Sequence, residues 1–162
     1  MDTQQTELLL LHPPSSNNFL AQNDGIDHIN IYSRGKTGLG RILSNFAETP
    51  LSYDGIDYKS VEGALFYYRT GDKRFINLYG SEAKMLGESL EAARKEKPEL
   101  LRKWLWAKLN FNPEIKEELL NNLLPFSHYY VFGNKKINKE LTCPEIWREI
   151  TDELKSDLVP FN

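Results

Sequence analysis

Two features that lie close together in the chain could carry chemistry: a basic, glycine-rich stretch at residues 33–41 and a single glutamate, Glu62. Backbone N–H groups of a glycine-rich loop, together with Arg and Lys side chains, stabilise a bound phosphate. Glu62 follows Ser60, a common helix N-cap, so its carboxylate is expected in the first turn of a helix, where it could act as an acid or a base. The combination predicts a site that holds a phosphate-bearing ligand against one carboxylate. The residues of the stretch that could contact such a ligand are Ser33, Arg34, Lys36, Gly38, Gly40 and Arg41.

Each of these features also has a purely structural interpretation. Free N–H groups at the start of a helix favour any ionised Glu there, whether or not it takes part in a reaction. The glycine-rich stretch matches neither the P-loop nor the dinucleotide-binding fingerprint, so by itself it is also typical of a surface loop. If Glu62 is catalytic, its carboxylate could stabilise a positively charged anomeric carbon or take a proton from an attacking water.

Two clusters combine polar and aromatic side chains, Ser44-Asn45-Phe46 and His128-Tyr129-Tyr130. The first places a hydroxyl, an amide and a ring side by side, and the second offers an imidazole that titrates near neutral pH between aromatic rings. Rings of this kind could stack on a base or a sugar. The structural alternatives are a helix cap with a core Phe for the first cluster, and a buried, hydrogen-bonded His with core Tyr residues for the second.

The composition sets limits on the class of site. The 162 residues carry a formal net charge of −3, so no global field attracts a polyanion, and any nucleic acid must bind through a local patch. The single cysteine, Cys143, excludes an intramolecular disulfide and a multi-cysteine zinc site. His12 and His28 do not cluster with carboxylates at a ligand spacing. We therefore expect no metal and no cofactor.

The apolar run Leu8–Leu11 is too short to cross a membrane and lacks the basic flank of a leader peptide. We expect a soluble, cytoplasmic protein with no membrane partner. The length suits one domain. Residues 1–25, which contain a Pro-Pro-Ser-Ser-Asn-Asn segment, are predicted to form an irregular N-terminal arm, and residues 26–162 to form the domain itself. No oligomeric state is predicted.

The order of helix and strand signals predicts a helix-rich α+β domain with one or two short antiparallel sheets. Asp54-Gly55 and Gly133-Asn134 are typical hairpin turns. Apolar periodicity and capping residues predict five helices. The predicted segments are a first strand at 26–32, hairpins at 49–58 and 127–137, and helices at 60–69, 81–93, from Pro98, at 113–124, and from Thr142.

Four motifs, taken together and in this order, resemble the NADAR family, named for its association with NAD and ADP-ribose. They are Gly40–Phe46 with its Leu-Ser-Asn-Phe ending, the Asp54-Gly55 hairpin, Tyr58–Gly63 with its Ser-Val-Glu core, and Glu82–Gly87 with its Ala-Lys-x-x-Gly pattern. The resemblance runs from about Ile29 to Trp147 and covers most of the chain. It implies a NADAR-like α+β fold, and it makes Glu62 the principal candidate for the catalytic residue.

Two branches of that family matter for function. One resembles N-glycosidases of riboflavin-pathway intermediates; Gly63 stands where that branch has a His, and 129–134 stands where it has an acidic stretch. The other resembles hydrolases that remove ADP-ribose from guanine bases in DNA and so reverse DNA ADP-ribosyltransferase toxins. The Tyr-Ser-Arg-Gly-Lys start, the Glu62-Gly63 pair and His128-Tyr129-Tyr130 are similar to the second branch.

The resemblance to the second branch implies a metal-independent N-glycosidase whose partner is ADP-ribose or ADP-ribosylated guanine in DNA. In this interpretation Glu62 assists cleavage, and Lys36 or Lys84 is an alternative catalytic group that would form a Schiff base with ring-opened ribose. A non-catalytic binder of ADP-ribose or an NAD derivative, acting in phage–host conflict, is the alternative from another class. The predicted ligand-binding residues are Ser33, Arg34, Gly40, Arg41, Ser44, Asn45, Phe46, His128, Tyr129 and Tyr130.

Overall fold

The structure, a computed structural model, describes residues 11–158, and within that range it is an α+β fold of six helices and three two-stranded pairs. The expected fold class is confirmed. The helices are α1 (Gly38–Leu43), α2 (Val61–Thr70), α3 (Gly80–Ser89), α4 (Pro98–Phe111), α5 (Pro113–Asn121) and α6 (Thr142–Ser156). The strands are β1 (Ile29–Asn30), β2 (Leu51–Tyr53), β3 (Ile56–Tyr58), β4 (Phe126–Ser127), β5 (Tyr129–Phe132) and β6 (Lys135–Asn138).

Helix α4 lies at the centre of the core, in contact with β2, α2, α5 and α6. Its apolar face buries Trp104, Leu105 and Leu109, which recur at helical spacing. Helix α6 contributes Trp147 and Ile150, both fully buried. Burial of these side chains is the main force that holds the helices against the hairpin.

Local sequence signals placed several elements correctly. Ser60 caps α2 by accepting a hydrogen bond from the N–H of Gly63, and Gly71 ends the helix in the left-handed conformation. The antiparallel pairs β2–β3 and β5–β6 form the two expected hairpins. Helix α3 differs from the expectation: it begins at Gly80 and ends at Ser89, and Ser81 lies inside its first turn without capping it.

Two features were not predicted. Residues 38–43, assigned to the glycine-rich loop, form the short helix α1, whose N-cap Thr37 accepts a hydrogen bond from the N–H of Gly40. Strand β1 is only two residues long and pairs in parallel with β4, with Ile29 opposite Phe126. The parallel pair joins segments that are far apart in sequence, so no local turn signal could reveal it.

Residues 11–25 run irregularly across the domain, with one 3-10 turn at Ala21–Asn23. The N–H of His12 donates to a carboxylate oxygen of Asp152 on α6 at 2.6 Å. The N–H of Ser16 donates to the carbonyl of Phe126 at 3.0 Å, which extends the β1–β4 pair. This part of the predicted arm is therefore attached to the domain; its first ten residues, including most of the Leu8–Leu11 run, lie outside the described range.

Between residues 11 and 158, no helix combines the length and the apolar character that a membrane crossing requires. The longest helix, α6, is amphipathic. Its buried face enters the core, while Glu149 and Glu153 on its other side form ion pairs with Arg102 of α4. These pairs are partly exposed and contribute little to the free energy of unfolding.

Candidate functional site

A cavity of about 360 Å³ opens beside the first turn of α2 and brings together most of the predicted site residues. Its walls are formed by residues 31–34 after β1, the 44–46 turn after α1, the first turn of α2, one face of α3, residues 128–132 and the start of α6. Its predicted lining residues are Ser33, Arg34, Ser44, Asn45, Phe46, Glu62, Lys84, His128 and Tyr130.

The backbone around Glu62 holds the carboxylate in place. The N–H of Glu62 donates to the carbonyl of Asn45 at 3.0 Å, so the 44–46 turn is tied to the helix start. The hydroxyl of Ser60 accepts from the N–H of Gly63 and donates to the carbonyl of Leu78, both at 2.9 Å. A Cβ on Gly63 would lie 2.5 Å from the carbonyl oxygen of Phe75, so only Gly fits there. Close packing against Phe75 therefore explains why glycine follows Glu62.

Burial raises the pKa of Glu62 to about 7, because the carboxylate loses much of its hydration in this wall. The ammonium of Lys84 acts against this and lowers the pKa, while the carboxylate of Glu96 raises it further. A group with a pKa near 7 can both accept and return a proton at neutral pH, as general acid–base catalysis requires.

Lys84 lies on the α3 side of the cavity between two aromatic rings. Its Nζ atom is 5.7 Å from the centre of the Phe46 ring and 5.6 Å from that of Tyr130. Both distances fall within the range of a cation–π interaction, which orients the ammonium without neutralising it. Lys84 is thus the lysine of the two candidates that lies in the Glu62 cavity. The Nζ of Lys36 donates instead to the carbonyl of Gln22 at 3.2 Å.

Strand β5 builds the aromatic wall, because alternate side chains of a strand point to the same face. Tyr130 and Phe132 face the cavity. Tyr130 stacks on Tyr32 with ring centres 4.9 Å apart, and Phe132 meets its edge at 6.2 Å. Phe132 is 53% exposed and lies at the mouth of the cavity. A planar ligand can stack on this wall.

The orientation of His128 is fixed by its hydrogen bond. Its Nδ1 lies 2.6 Å from the carbonyl oxygen of Ile31, which can only accept, so Nδ1 carries the hydrogen. Burial lowers the pKa of His128, and the imidazole is neutral at pH 7 with Nε2 as an acceptor. A ligand N–H or O–H group in the cavity could donate to that atom.

Five predicted residues lie outside the Glu62 cavity: Lys36, Gly38, Gly40, Arg41 and Tyr129. Tyr129 lies on the opposite face of β5, fully buried, where its hydroxyl forms a hydrogen bond with Nε2 of His28 at 2.5 Å.

The guanidinium of Arg41 donates to the carbonyl of Gly35 at 2.8 Å and borders an adjoining groove. A Cβ on Gly40 would lie 2.3 Å from the carbonyl oxygen of Asn30, so this glycine allows α1 to approach the strand.

The backbone N–H groups of the glycine-rich stretch, which were expected to bind a phosphate, are in part already hydrogen-bonded. The N–H of Gly35 donates to the carbonyl of Tyr32, and that of Lys36 to a carboxylate oxygen of Asp24. The N–H of Gly40 is taken by Thr37, as described above. These three amides already have partners, and of the three basic side chains in the stretch, Arg34 is the one that lines the Glu62 cavity. Arg34 is exposed and borders both the cavity and two adjoining grooves.

Seven further residues line the cavity and were not predicted from the sequence. Helical spacing could have identified two of them, because Ser81 and Glu88 lie three residues before and four residues after Lys84, on the same face of α3. Strand alternation from Tyr130 could have identified Phe132. The full set is Ile31, Tyr32, Ser81, Met85, Glu88, Phe132 and Cys143.

Cys143 and Lys108 lie behind the 44–46 turn. The thiol of Cys143 is 3.6 Å from the side-chain oxygen of Asn45, and burial raises its pKa to about 12, so it is an unreactive thiol. Lys108 is fully buried and donates from Nζ to the carbonyl of Ser44 at 3.0 Å. Burial lowers the pKa of Lys108 to about 7. Both side chains support the turn from the core side.

Searches of family models, of curated proteins and of solved structures all end without a match to this chain. Among the described residues, no group of three or more His, Cys, Asp or Glu side chains is arranged to hold a metal ion.

Proposed function

We propose that this protein is an N-glycosidase that removes ADP-ribose from guanine bases in DNA, with Glu62 as the catalytic carboxylate. One observation carries the proposal: a carboxyl group whose pKa is raised to about 7 by burial shares a cavity with cationic and aromatic side chains. The NADAR resemblance supplies the substrate class. The cavity supplies the chemical requirements of that substrate, which are a proton-transfer group, a phosphate-binding cation and stacking surfaces.

The reaction can be written with this chain's own groups. The bond between the anomeric carbon and the exocyclic nitrogen of guanine breaks, and its electron pair stays on the nitrogen. Positive charge on the anomeric carbon is stabilised by the carboxylate of Glu62. Water adds its oxygen to that carbon and gives one proton to Glu62, which returns a proton to the nitrogen. The products are free ADP-ribose and unmodified guanine.

The other side chains of the cavity suit the rest of such a substrate. Arg34 at the junction with the adjoining grooves is the proposed contact for the pyrophosphate, because a guanidinium can bond two phosphate oxygens at once. Tyr130 and Phe46 are proposed to stack on a base. Lys84 is proposed to strengthen binding of the phosphate or sugar oxygens near Glu62.

Gly63 favours the branch that removes ADP-ribose from guanine in DNA over the branch that cleaves riboflavin-pathway intermediates. The riboflavin-intermediate N-glycosidases carry a His after the catalytic Glu, whereas no side chain fits at Gly63 beside the carbonyl of Phe75. A mechanism that depends on that His is not open to this chain. Metabolite cleavage by Glu62 alone remains the second candidate, and a non-catalytic binder of ADP-ribose the third.

A side-by-side assay separates the three. The wild-type protein is incubated in excess EDTA with an oligonucleotide that carries ADP-ribosylated guanine and, separately, with a phosphoribosylated flavin precursor. We expect release of ADP-ribose from the oligonucleotide only, with no loss of rate in EDTA. Release of ribose phosphate from the precursor alone would favour the metabolite enzyme. Binding of ADP-ribose without turnover of either substrate would favour the non-catalytic binder.

A further inference from the structure

The β5–β6 hairpin extends the wall of the Glu62 cavity and carries basic side chains on the same face. His128, Tyr130 and Phe132 line the cavity from β5 and the residue before it. In the antiparallel register Lys135 lies opposite Phe132, and the N–H of Lys139 donates to the carbonyl of His128 at 2.9 Å. Side chains that lie directly opposite each other on antiparallel strands share one face of the sheet. Lys135 and Lys139 therefore belong to the cavity face of the hairpin.

Side-chain contacts agree with this division between the two faces. The Nζ of Lys139 lies 4.7 Å from the centre of the Tyr130 ring, on the cavity face. The Nζ of Lys136 lies 4.5 Å from the ring centre of Tyr129, on the opposite face, and donates to the carbonyl of Phe19 at 2.8 Å. The lysine that holds the N-terminal segment is thus on one face of the hairpin, and the lysines beside the cavity are on the other.

The hairpin is locally basic in a chain whose formal net charge is −3. Residues 128–139 contain three lysines and no Asp or Glu, and the two lysines on the cavity face, Lys135 and Lys139, are exposed. On the α3 side of the same cavity the exposed charged side chain is Glu88. A polyanion that enters the cavity is therefore attracted to the hairpin side and repelled from the α3 side.

Two exposed apolar side chains lie at the mouth of the cavity. Phe132 on β5 is 53% exposed, and Met85 on α3 is 70% exposed. Sheet surfaces that bind single-stranded nucleic acid combine exposed rings, on which bases stack, with basic side chains that contact the phosphates. In a duplex both faces of an inner base are covered by its neighbours, so stacking on Phe132 requires an unpaired strand.

We propose that the cavity face of the β5–β6 hairpin binds the unpaired DNA strand on one side of the modified guanine. Phe132 stacks on the neighbouring base, and the ammonium groups of Lys135 and Lys139 contact the phosphates of that strand. The inference rests on the proposed function, because it takes a DNA strand as the substrate. It adds a docking surface outside the cavity, formed by residues that the reaction itself does not use.

The binding test uses a fluorescein-labelled strand of unmodified DNA of mixed sequence, alone and annealed to its complement. Fluorescence anisotropy at low salt should show saturable binding of the single strand and weaker binding of the duplex. Phe132→Ser should weaken single-strand binding about tenfold, because one stacked base is lost. Lys135→Met and Lys139→Met should each reduce the slope of log affinity against log salt concentration by about 0.7, as expected for one phosphate contact to a single strand.

Matched controls come from the helices away from the cavity. Phe111 at the end of α4 is 50% exposed, close to the value for Phe132, and Lys116 on α5 is exposed. Phe111→Ser and Lys116→Met should leave both the affinity for the strand and its salt dependence unchanged. Absence of saturable single-strand binding, equal weakening in Phe132→Ser and Phe111→Ser, or duplex binding as tight as single-strand binding would overturn the inference.

Turnover distinguishes a failure of this inference from a failure of the proposed function. ADP-ribosylated deoxyguanosine, which has no neighbouring nucleotides, is compared with the ADP-ribosylated oligonucleotide as substrate. Phe132→Ser and Lys139→Met should lower kcat/KM more for the oligonucleotide than for the nucleoside. Equal losses on the two substrates would contradict the docking surface and leave the N-glycosidase in place. Absence of turnover of both substrates by the wild type would contradict the proposed function, whereas strand binding is measured without turnover.

Discussion

The backbone N–H of Glu62 donates to the carbonyl of Asn45 at 3.0 Å, and this single bond joins the two most distinctive motifs of the chain. The Leu-Ser-Asn-Phe turn thereby fixes the first turn of α2. The same turn presents Phe46 to Lys84 on the opposite wall. The turn thus links the carboxyl of Glu62, the ring of Phe46 and, across the cavity, the ammonium of Lys84.

The pH dependence of catalysis should report the coupling between Glu62 and Lys84. If the ionised carboxylate is required, kcat/KM rises as the pH passes through about 7, the pKa of Glu62. The ammonium of Lys84 lowers that pKa, so Lys84→Met should move the rise to higher pH. Lys116→Met, at an exposed position on α5, is the control and should leave the profile in place. If the pH midpoint of the rise in kcat/KM is the same in Lys84→Met as in the wild type, Lys84 does not influence the pKa of Glu62.

The raised pKa of Glu62 should also make the free energy of unfolding depend on pH, and this can be measured without any substrate. The pKa of Glu62 is raised from 4.5 to about 7, so between these pH values the folded state binds more protons than the unfolded state. Stability from this group is therefore present at low pH and is lost as the pH rises through 7. Glu62→Gln removes that loss, so the variant should be more stable than the wild type at pH 8 and gain little at pH 5. Urea denaturation at both pH values measures the difference, and an equal difference at the two would contradict the burial of the carboxyl.

How much of this site could be anticipated depends on the range of the interactions. Ser60, Gly71 and Asp54-Gly55 act on their nearest neighbours, and the elements that they predict are present. The position of Lys36 depends on Gln22, 14 residues away, so its absence from the cavity could not be predicted from local sequence. Strand alternation could have placed Tyr129 on the face of β5 opposite to Tyr130, but its partner His28 lies 101 residues away and could not be predicted. Helix α1 could have been anticipated from its capping residue Thr37, but the glycines at positions 38 and 40 favoured the assignment of a loop.

Neighbouring tyrosines of β5 should respond in opposite ways to substitution. Tyr130→Leu removes a stacking ring from the cavity and should weaken ADP-ribose binding by about 1–3 kcal/mol, with little change in stability. Tyr129→Phe should leave ADP-ribose affinity unchanged but lower the free energy of unfolding by about 1–3 kcal/mol, because it leaves Nε2 of His28 buried without its partner. Calorimetry and urea denaturation on both variants test the pair. Loss of affinity in Tyr129→Phe at full stability would mean that the face assignment of β5 is wrong.

Buried Lys108 should make stability depend on pH in the opposite sense from Glu62. Its pKa falls from 10.5 to about 7, so between these values the unfolded state binds the extra proton and stability rises with pH. Relative to Lys108→Met, the wild type should therefore gain stability from pH 7 to pH 10. Lys116→Met serves again as the exposed control. A stability difference that stays constant over this range would show that Lys108 remains charged in the folded protein.

The most direct test of the central claim is single-turnover release of ADP-ribose from an ADP-ribosylated guanine oligonucleotide by the wild type and by Glu62→Gln. The amide keeps the shape of the side chain but cannot carry the negative charge or exchange the proton. Loss of one such group commonly lowers the rate by about 10²–10³-fold. We expect a loss of that size in Glu62→Gln, with ADP-ribose still bound at close to wild-type affinity. A variant that releases ADP-ribose at the wild-type rate would remove Glu62 from the mechanism and contradict the account.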